Sequence, residues 1–304
     1  MKEENVRMEM RSCTLCPRMC KVNRAEGKTG YCGMDSRLWA ARAALHLWEE
    51  PCISGTRGSG AVFFSGCNLR CIFCQNHEIA EGTCGKEITV ERLAEIFLEL
   101  QEQQAANINL VTATHYAPQV KEALLQAKKA GLKIPIIYNC GGYERVETVQ
   151  WLSEVIDVWL PDFKYMDPQL AMAYAKAPDY PEVAKAAIRA MMECAGSCVY
   201  DEEGYIQKGV IVRHLILPGH TKNSMEVLKE LYTTYGDDLT ISLMNQYTPL
   251  AQVKEIPNLN RRVTKREYEK VLNYALELGI TQGFFQEGET AKESFIPMFD
   301  YQGL

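Results

Sequence analysis

The chain has 304 residues, of which 47% are hydrophobic, and carries a formal charge of −6 at pH 7. That is enough apolar material for one large domain or two small ones, and the acidic balance argues against nucleic acid as a partner. The first twelve residues are charged and lack an apolar core segment, and no run of 18 apolar residues occurs. Neither a signal peptide nor a membrane span is therefore expected, and a cytoplasmic location follows as the expectation. With no export signal, twelve cysteines at tight spacings point to metal ligation rather than disulfides.

The first element in chain order is a cysteine module. Cys13, Cys16, Cys20 and Cys32 lie in a stretch made turn-rich by Gly27, Gly30 and Gly33. Four sulfurs complete a tetrahedral set for zinc, or occupy the four corners of a closed iron–sulfur cluster. A second metal centre, zinc or iron–sulfur, is expected here, and residues 1–60 read as this module with a connector. Within the connector, 37–50 is compatible with a helix packing through Trp39 and Trp48, ended by Pro51, Gly55, Gly58 and Gly60. Residues 61–304 read as a second domain. Strand patterns at 61–65, 109–112, 134–138, 158–160, 209–217 and 239–243 alternate there with helical patterns at 89–104, 118–130, 144–155, 224–235 and 264–278. Helices at 168–175 and 181–195 fill a longer insert, and 280–285 is a candidate final strand. The alternation predicts an α/β fold with a parallel sheet and right-handed crossovers, and six repeats fit a partial (β/α)6 barrel.

The chemistry concentrates at strand ends, where α/β barrels place their active sites. After the first strand comes Cys67-Asn68-Leu69-Arg70-Cys71-Ile72-Phe73-Cys74. Three thiolates hold three irons of a cubane and leave the fourth open to a small molecule. His77, three residues on, is the side chain that could close that corner. After the second strand come Thr114, His115 and Tyr116; after the third, Asn139, Cys140 and Gly141. Asp162 and Lys164 follow the fourth, and Arg213 lies on the fifth, ahead of Pro218-Gly219. His115, Tyr116 and Cys140 are the candidates for contact with substrate.

The string FSGCNLRCIFCQN, with Phe73 as the aromatic before the last cysteine, resembles the signature of the radical S-adenosylmethionine (SAM) superfamily. It is most similar to the branch of the glycyl-radical-enzyme activases, which includes pyruvate formate-lyase activating enzyme. The four-cysteine module resembles an uncharacterised subgroup of that branch. The resemblance implies a TIM-like radical SAM barrel with a 4Fe-4S cluster on Cys67, Cys71 and Cys74. It further implies that Phe73, Asn139, Gly141, Asp162, Lys164 and Arg213 surround S-adenosyl-L-methionine. The activases' Gly-Gly-Glu after the second strand is absent; Thr112-Ala113-Thr114-His115 stands there. The activity implied is reductive cleavage of SAM to a 5′-deoxyadenosyl radical that takes a hydrogen atom, by analogy from a glycine of a partner enzyme. Other readings are modification of another peptide or a small molecule, and an iron–sulfur electron-transfer protein without SAM turnover. The expected partners are a reductant such as ferredoxin or flavodoxin and a protein substrate, without membrane or nucleic acid.

Overall fold

The computed structural model describes residues 10–286 and 297–304. One sheet organises them. Its strands are β1 (Leu38–His46), β2 (Ser59–Phe64), β3 (Lys86–Ile88), β4 (Ile108–Val111), β5 (Ile136–Cys140), β6 (Val158–Pro161), β7 (Val199–Tyr200), β8 (Ile206–Leu215), β9 (Thr240–Met244) and β10 (Gly283–Phe285). The spatial order is β10-β9-β8-β6-β5-β4-β2-β1-β3, with β7 as a side branch on β8. From β2 to β10 every neighbouring pair along that order is parallel. All residues of β2, β4 and β6 are buried, as strands covered on both faces must be.

The helices are α1 (His77–Ala80), α2 (Val90–Glu102), α3 (Ala117–Lys129), α4 (Val146–Leu152), α5 (Pro168–Ala175), α6 (Tyr180–Ala195), α7 (Thr221–Tyr235) and α8 (Lys265–Leu278). Each forms for a local reason. In α2, Leu93, Ile96, Phe97 and Leu100 recur on one buried stripe, and the Thr89 side chain caps the first turn by accepting from Arg92 N. Asp167 caps α5 in the same way, with proline at its start. Gly279, at φ +97°, closes α8 in the left-handed conformation that only glycine adopts freely.

The stretch 37–50, expected as a helix, contains strand β1 instead. β1 pairs antiparallel with β2 through Ala40↔Phe64 to His46↔Ser59, and with β3 through Leu38↔Ile88 to Ala40↔Lys86. Its alanines favour a helix in isolation, but Leu38, Ala40, Ala41 and Ala43 are buried between neighbouring strands, and that burial overrides propensity. The sheet therefore crosses the domain boundary expected at residue 60. Residues near the other end of the chain also join it: Ala43 N donates to Gln302 O at 2.8 Å, and Tyr301 N to Ala41 O at 3.2 Å.

Candidate active site

β2 leads through Ser65 and Gly66 into the three-cysteine loop. Gly66 has φ +88°, and a Cβ there would meet Met34 Cγ at 2.4 Å and the Cys32 carbonyl at 2.8 Å. Only glycine allows this approach. The loop is pinned from within by Cys74 N to Cys71 O (3.0 Å) and from outside by Ile72 N to Tyr174 O (3.0 Å), on α5. Phe73 packs edge-on against Tyr174 and Tyr247, at ring separations of 6.3 and 6.1 Å. Cys67, Cys71 and Cys74 thereby line a cavity of about 240 Å³. The ends of neighbouring parallel strands complete the lining: Thr112 after β4, Asn139, Cys140 and Gly141 at β5, and Asp162 and Lys164 after β6.

The electrostatics of this cavity suit an anionic cluster. Burial works against the Lys164 charge, but Asp162, in ion-pair contact with it, and then Cys71 outweigh that and raise its pKa. Burial pushes Cys71 up to about 11, against the pull of Lys164. It pushes Cys74 to about 12, with Cys67 adding to the rise. These thiols shed protons when metal replaces them. Among the described residues no three Cys, His, Asp or Glu side chains converge as they would around one metal ion. A cubane spreads its thiolates over separate irons, and three cysteines lining one cavity can supply three of its corners. His77 opens α1 and is not among the residues that line the cavity.

The superfamily profile for radical SAM proteins matches residues 61–232, more than half of the chain. The chain belongs to the radical SAM superfamily. An uncharacterized protein of Methanocaldococcus jannaschii is 29% identical over 282 residues, covering 90% of this chain and 77% of that protein. Pyruvate formate-lyase 1-activating enzyme of Escherichia coli K12 is 32% identical over 120 residues, 36% of this chain and 46% of the enzyme. Among solved structures, HydG, a maturase of the FeFe-hydrogenase, superposes with a TM-score of 0.51 at 14% identity. That superposition covers 73% of this chain and 50% of HydG, and it shows a shared fold. Radical SAM membership carries with it a 4Fe-4S cluster and SAM as cofactors.

Other residues singled out on the radical SAM rim have varied placements. Gly141 stands so close to the cysteine loop that a Cβ would lie 2.6 Å from Leu69 Cδ1. Arg213 reaches the cavity, but its guanidinium is gripped by Glu49 and Glu50, with Nε to Glu50 Oε1 at 2.9 Å. Asn109 Nδ2 holds Glu49 Oε1 at 2.9 Å. This acidic pair was missed in the sequence reading; two adjacent glutamates before Pro51 were its only signal. Burial opposes the Glu50 charge, and Arg213 outweighs burial to lower its pKa.

His115 and Tyr116 do not line the cavity. Both are buried in the single turn Thr114–Tyr116, where His115 Nε2 meets Ser65 O at 2.7 Å and Tyr116 packs on Phe64 at 5.9 Å. Burial, then Arg24, push His115 down to about 3, so its ring is neutral. Cys140 is the one candidate of the three that faces the cavity.

Thr112 faces it too and has φ +62°, an outlier for a β-branched residue. In the four-cysteine module, Cys13, Cys16 and Cys32 are buried and Cys20 is half-buried. A Cβ on Gly30 would lie 2.9 Å from Cys20 Sγ and 3.8 Å from Cys32 Sγ, so these two sulfurs flank the same point.

Proposed function

We propose that this chain is a radical SAM oxidoreductase that abstracts a hydrogen atom from a glycine of a partner enzyme, as an activase does. The observation that carries the radical SAM part is three cysteines lining one cavity together with the Lys164–Asp162 pair. The similarity to pyruvate formate-lyase 1-activating enzyme supports the glycine substrate. When bound, the cluster and SAM supply one-electron cleavage of a sulfonium and a carbon radical. The protein's own residues bind and orient. Cys67, Cys71 and Cys74 would hold three of the cluster's irons. Lys164, kept protonated by Asp162, offers a buried point charge to a carboxylate. Gly141 and Asn139 bring backbone and an amide to the wall without a bulky side chain. Phe73 and the aromatic rings packed on it exclude water.

The altered segment after β4, Thr112 to His115, favours a second reading in which the substrate is another peptide or a small molecule. The four-cysteine module is proposed to hold a second metal. Ferredoxin or flavodoxin is proposed as reductant, in a cytoplasmic setting. No helix among the described residues is long and apolar enough to cross a membrane.

The test is anaerobic reconstitution with iron and sulfide, followed by SAM, dithionite and an assay for 5′-deoxyadenosine. Product is expected from the unaltered chain and none above background from Cys71→Ala. Mixing with candidate glycyl-radical enzymes should then give a glycyl spin-resonance signal. Deoxyadenosine without that signal for any partner would turn the assignment to another substrate class.

A further inference from the structure

We propose that Cys13, Cys16, Cys20 and Cys32 hold a closed iron–sulfur cluster that exchanges single electrons with the Cys67–Cys74 loop docked against it. The electron exchange rests on the radical SAM reading; the cluster assignment does not.

The first argument is charge. Arg24 is fully buried. Its guanidinium donates to Asp35 O at 3.1 and 2.6 Å and to His115 O at 2.6 Å, and lies 3.9 Å from Cys13 Sγ. Among the described residues no carboxylate is in ion-pair contact with it; the Asp35 carboxylate contacts Arg37 at 2.8 Å and acts on Arg24 only from farther off. A buried cation held by carbonyls and a thiol is costly, and a closer anion relieves it. Four thiolates around iron–sulfur carry net negative charge beside that guanidinium. Four free thiols would carry none.

The second argument is geometry. Cys13, Cys16 and Cys32 are buried and Cys20 is half-buried, and the Cys20 and Cys32 sulfurs flank one point beside Gly30. Four cysteines supply every corner of a cubane with no ligand from elsewhere in the chain.

The third argument is position. Arg18, between Cys16 and Cys20, donates Nε to Asn68 O at 2.8 Å, immediately after Cys67. Arg70, immediately before Cys71, donates Nη1 to Tyr31 O at 3.3 Å, immediately before Cys32. The Arg18 guanidinium also lies 3.8 Å from the centre of the Tyr31 ring. Each cysteine loop thus grips the other next to its own ligands, and the Gly66 backbone rests on the Cys32 carbonyl. A folding-only metal has no need of this docking, whereas electron tunnelling falls steeply with distance and requires it. Cys20, the half-buried member, gives the module its side nearest solvent. One electron enters from a low-potential donor of the flavin or iron–sulfur class, and one leaves to the Cys67–Cys74 cluster. No bond is made or broken.

The experiment uses the full chain with Cys67→Ser, Cys71→Ser and Cys74→Ser together, reconstituted anaerobically beside the unaltered chain. The variant should retain about four irons against about eight in the unaltered chain, and show a dithionite-reduced spin-resonance signal. Adding Cys16→Ser and Cys32→Ser should remove iron and signal. Zinc in the module, or no iron with an unchanged circular dichroism spectrum, overturns the assignment.

If the triple variant does not fold, the unaltered chain decides: two reduced signals are expected, one moved by SAM and one not. A single SAM-sensitive signal with about four irons overturns the proposal. Loss of the SAM-sensitive signal alone counts against the radical SAM reading and leaves the second cluster standing. For the exchange, Arg18→Ala with Arg70→Ala should slow reduction of the SAM-sensitive cluster by flavodoxin several-fold at unchanged iron content. An unchanged rate overturns it.

Discussion

Thr112 shows how much a single backbone angle can say. A β-branched residue at φ +62° stores strain of about 1–3 kcal/mol, and such strain collects at functional walls. It stands where the activases that this chain resembles begin a glycine pair. Thr112→Gly should relieve the strain, less the 0.5–1 kcal/mol or so of backbone entropy that glycine forfeits. A net gain of about 1 kcal/mol in denaturant unfolding is the expected outcome; a loss would show that the threonine side chain supports the wall.

Glu144 makes a different point. It is buried, its Oε1 accepts from Thr114 Oγ1 at 2.6 Å, and burial pushes its pKa from 4.5 up to about 8. Between those values the native state holds a proton that the unfolded chain has released, so stability falls as pH rises through that window. The loss at pH 7 is about 3 kcal/mol. Glu144→Gln, which is neutral throughout, should flatten the pH profile and raise the melting temperature most at pH 8. A profile as steep as that of the unaltered chain would remove Glu144 as its cause.

Among the elements, α8 was expected over 264–278 and runs from Lys265 to Leu278, with Thr264 as its cap. The Thr264 side chain accepts from Glu267 N at 3.3 Å, and the Glu267 carboxylate accepts from Thr264 N at 2.9 Å. The same carboxylate takes two bonds of 2.7 Å from Arg261 and one of 2.7 Å from Gly219 N, which ties α8 to the turn before α7. Thr264→Ala should cost about 1 kcal/mol in urea unfolding without changing iron content. The partners of this capping box all lie within four residues, so nothing outside the segment is needed to form it. Strand β1 differs. Its alanines and tryptophan suit a helix, and what makes it a strand is the edge of β2 on one side and β3 on the other. The alternation of strands and helices from residue 61 onward was recoverable because each element carries its own periodicity. Terminal residues shifted by a few positions, as fraying ends do.

On the scale of the whole molecule, the parallel sheet gathers onto one rim groups that are far apart in sequence, from Cys67 to Lys164. Folding brings both cysteine sets into place, so metal bound to the native state alone should stabilise the fold by mass action. Anaerobic calorimetry should find the iron-loaded chain melting several degrees above the metal-free chain, and equal melting temperatures would deny the metals any part in holding the fold together. The sequence by itself determined the cysteine spacing and the run of strand–helix units, since these depend on ligand counts and on periods of two and 3.6 residues. Only the tertiary structure decided which strand-end side chains reach the cavity. Arg213 is claimed by Glu49 and Glu50, some 160 residues earlier in the chain. His115 turns away to Ser65, 50 residues before it, and the two cysteine loops clasp through Arg18 and Arg70. A side chain's direction is set by whichever partner folding brings beside it, and no local pattern encodes that partner.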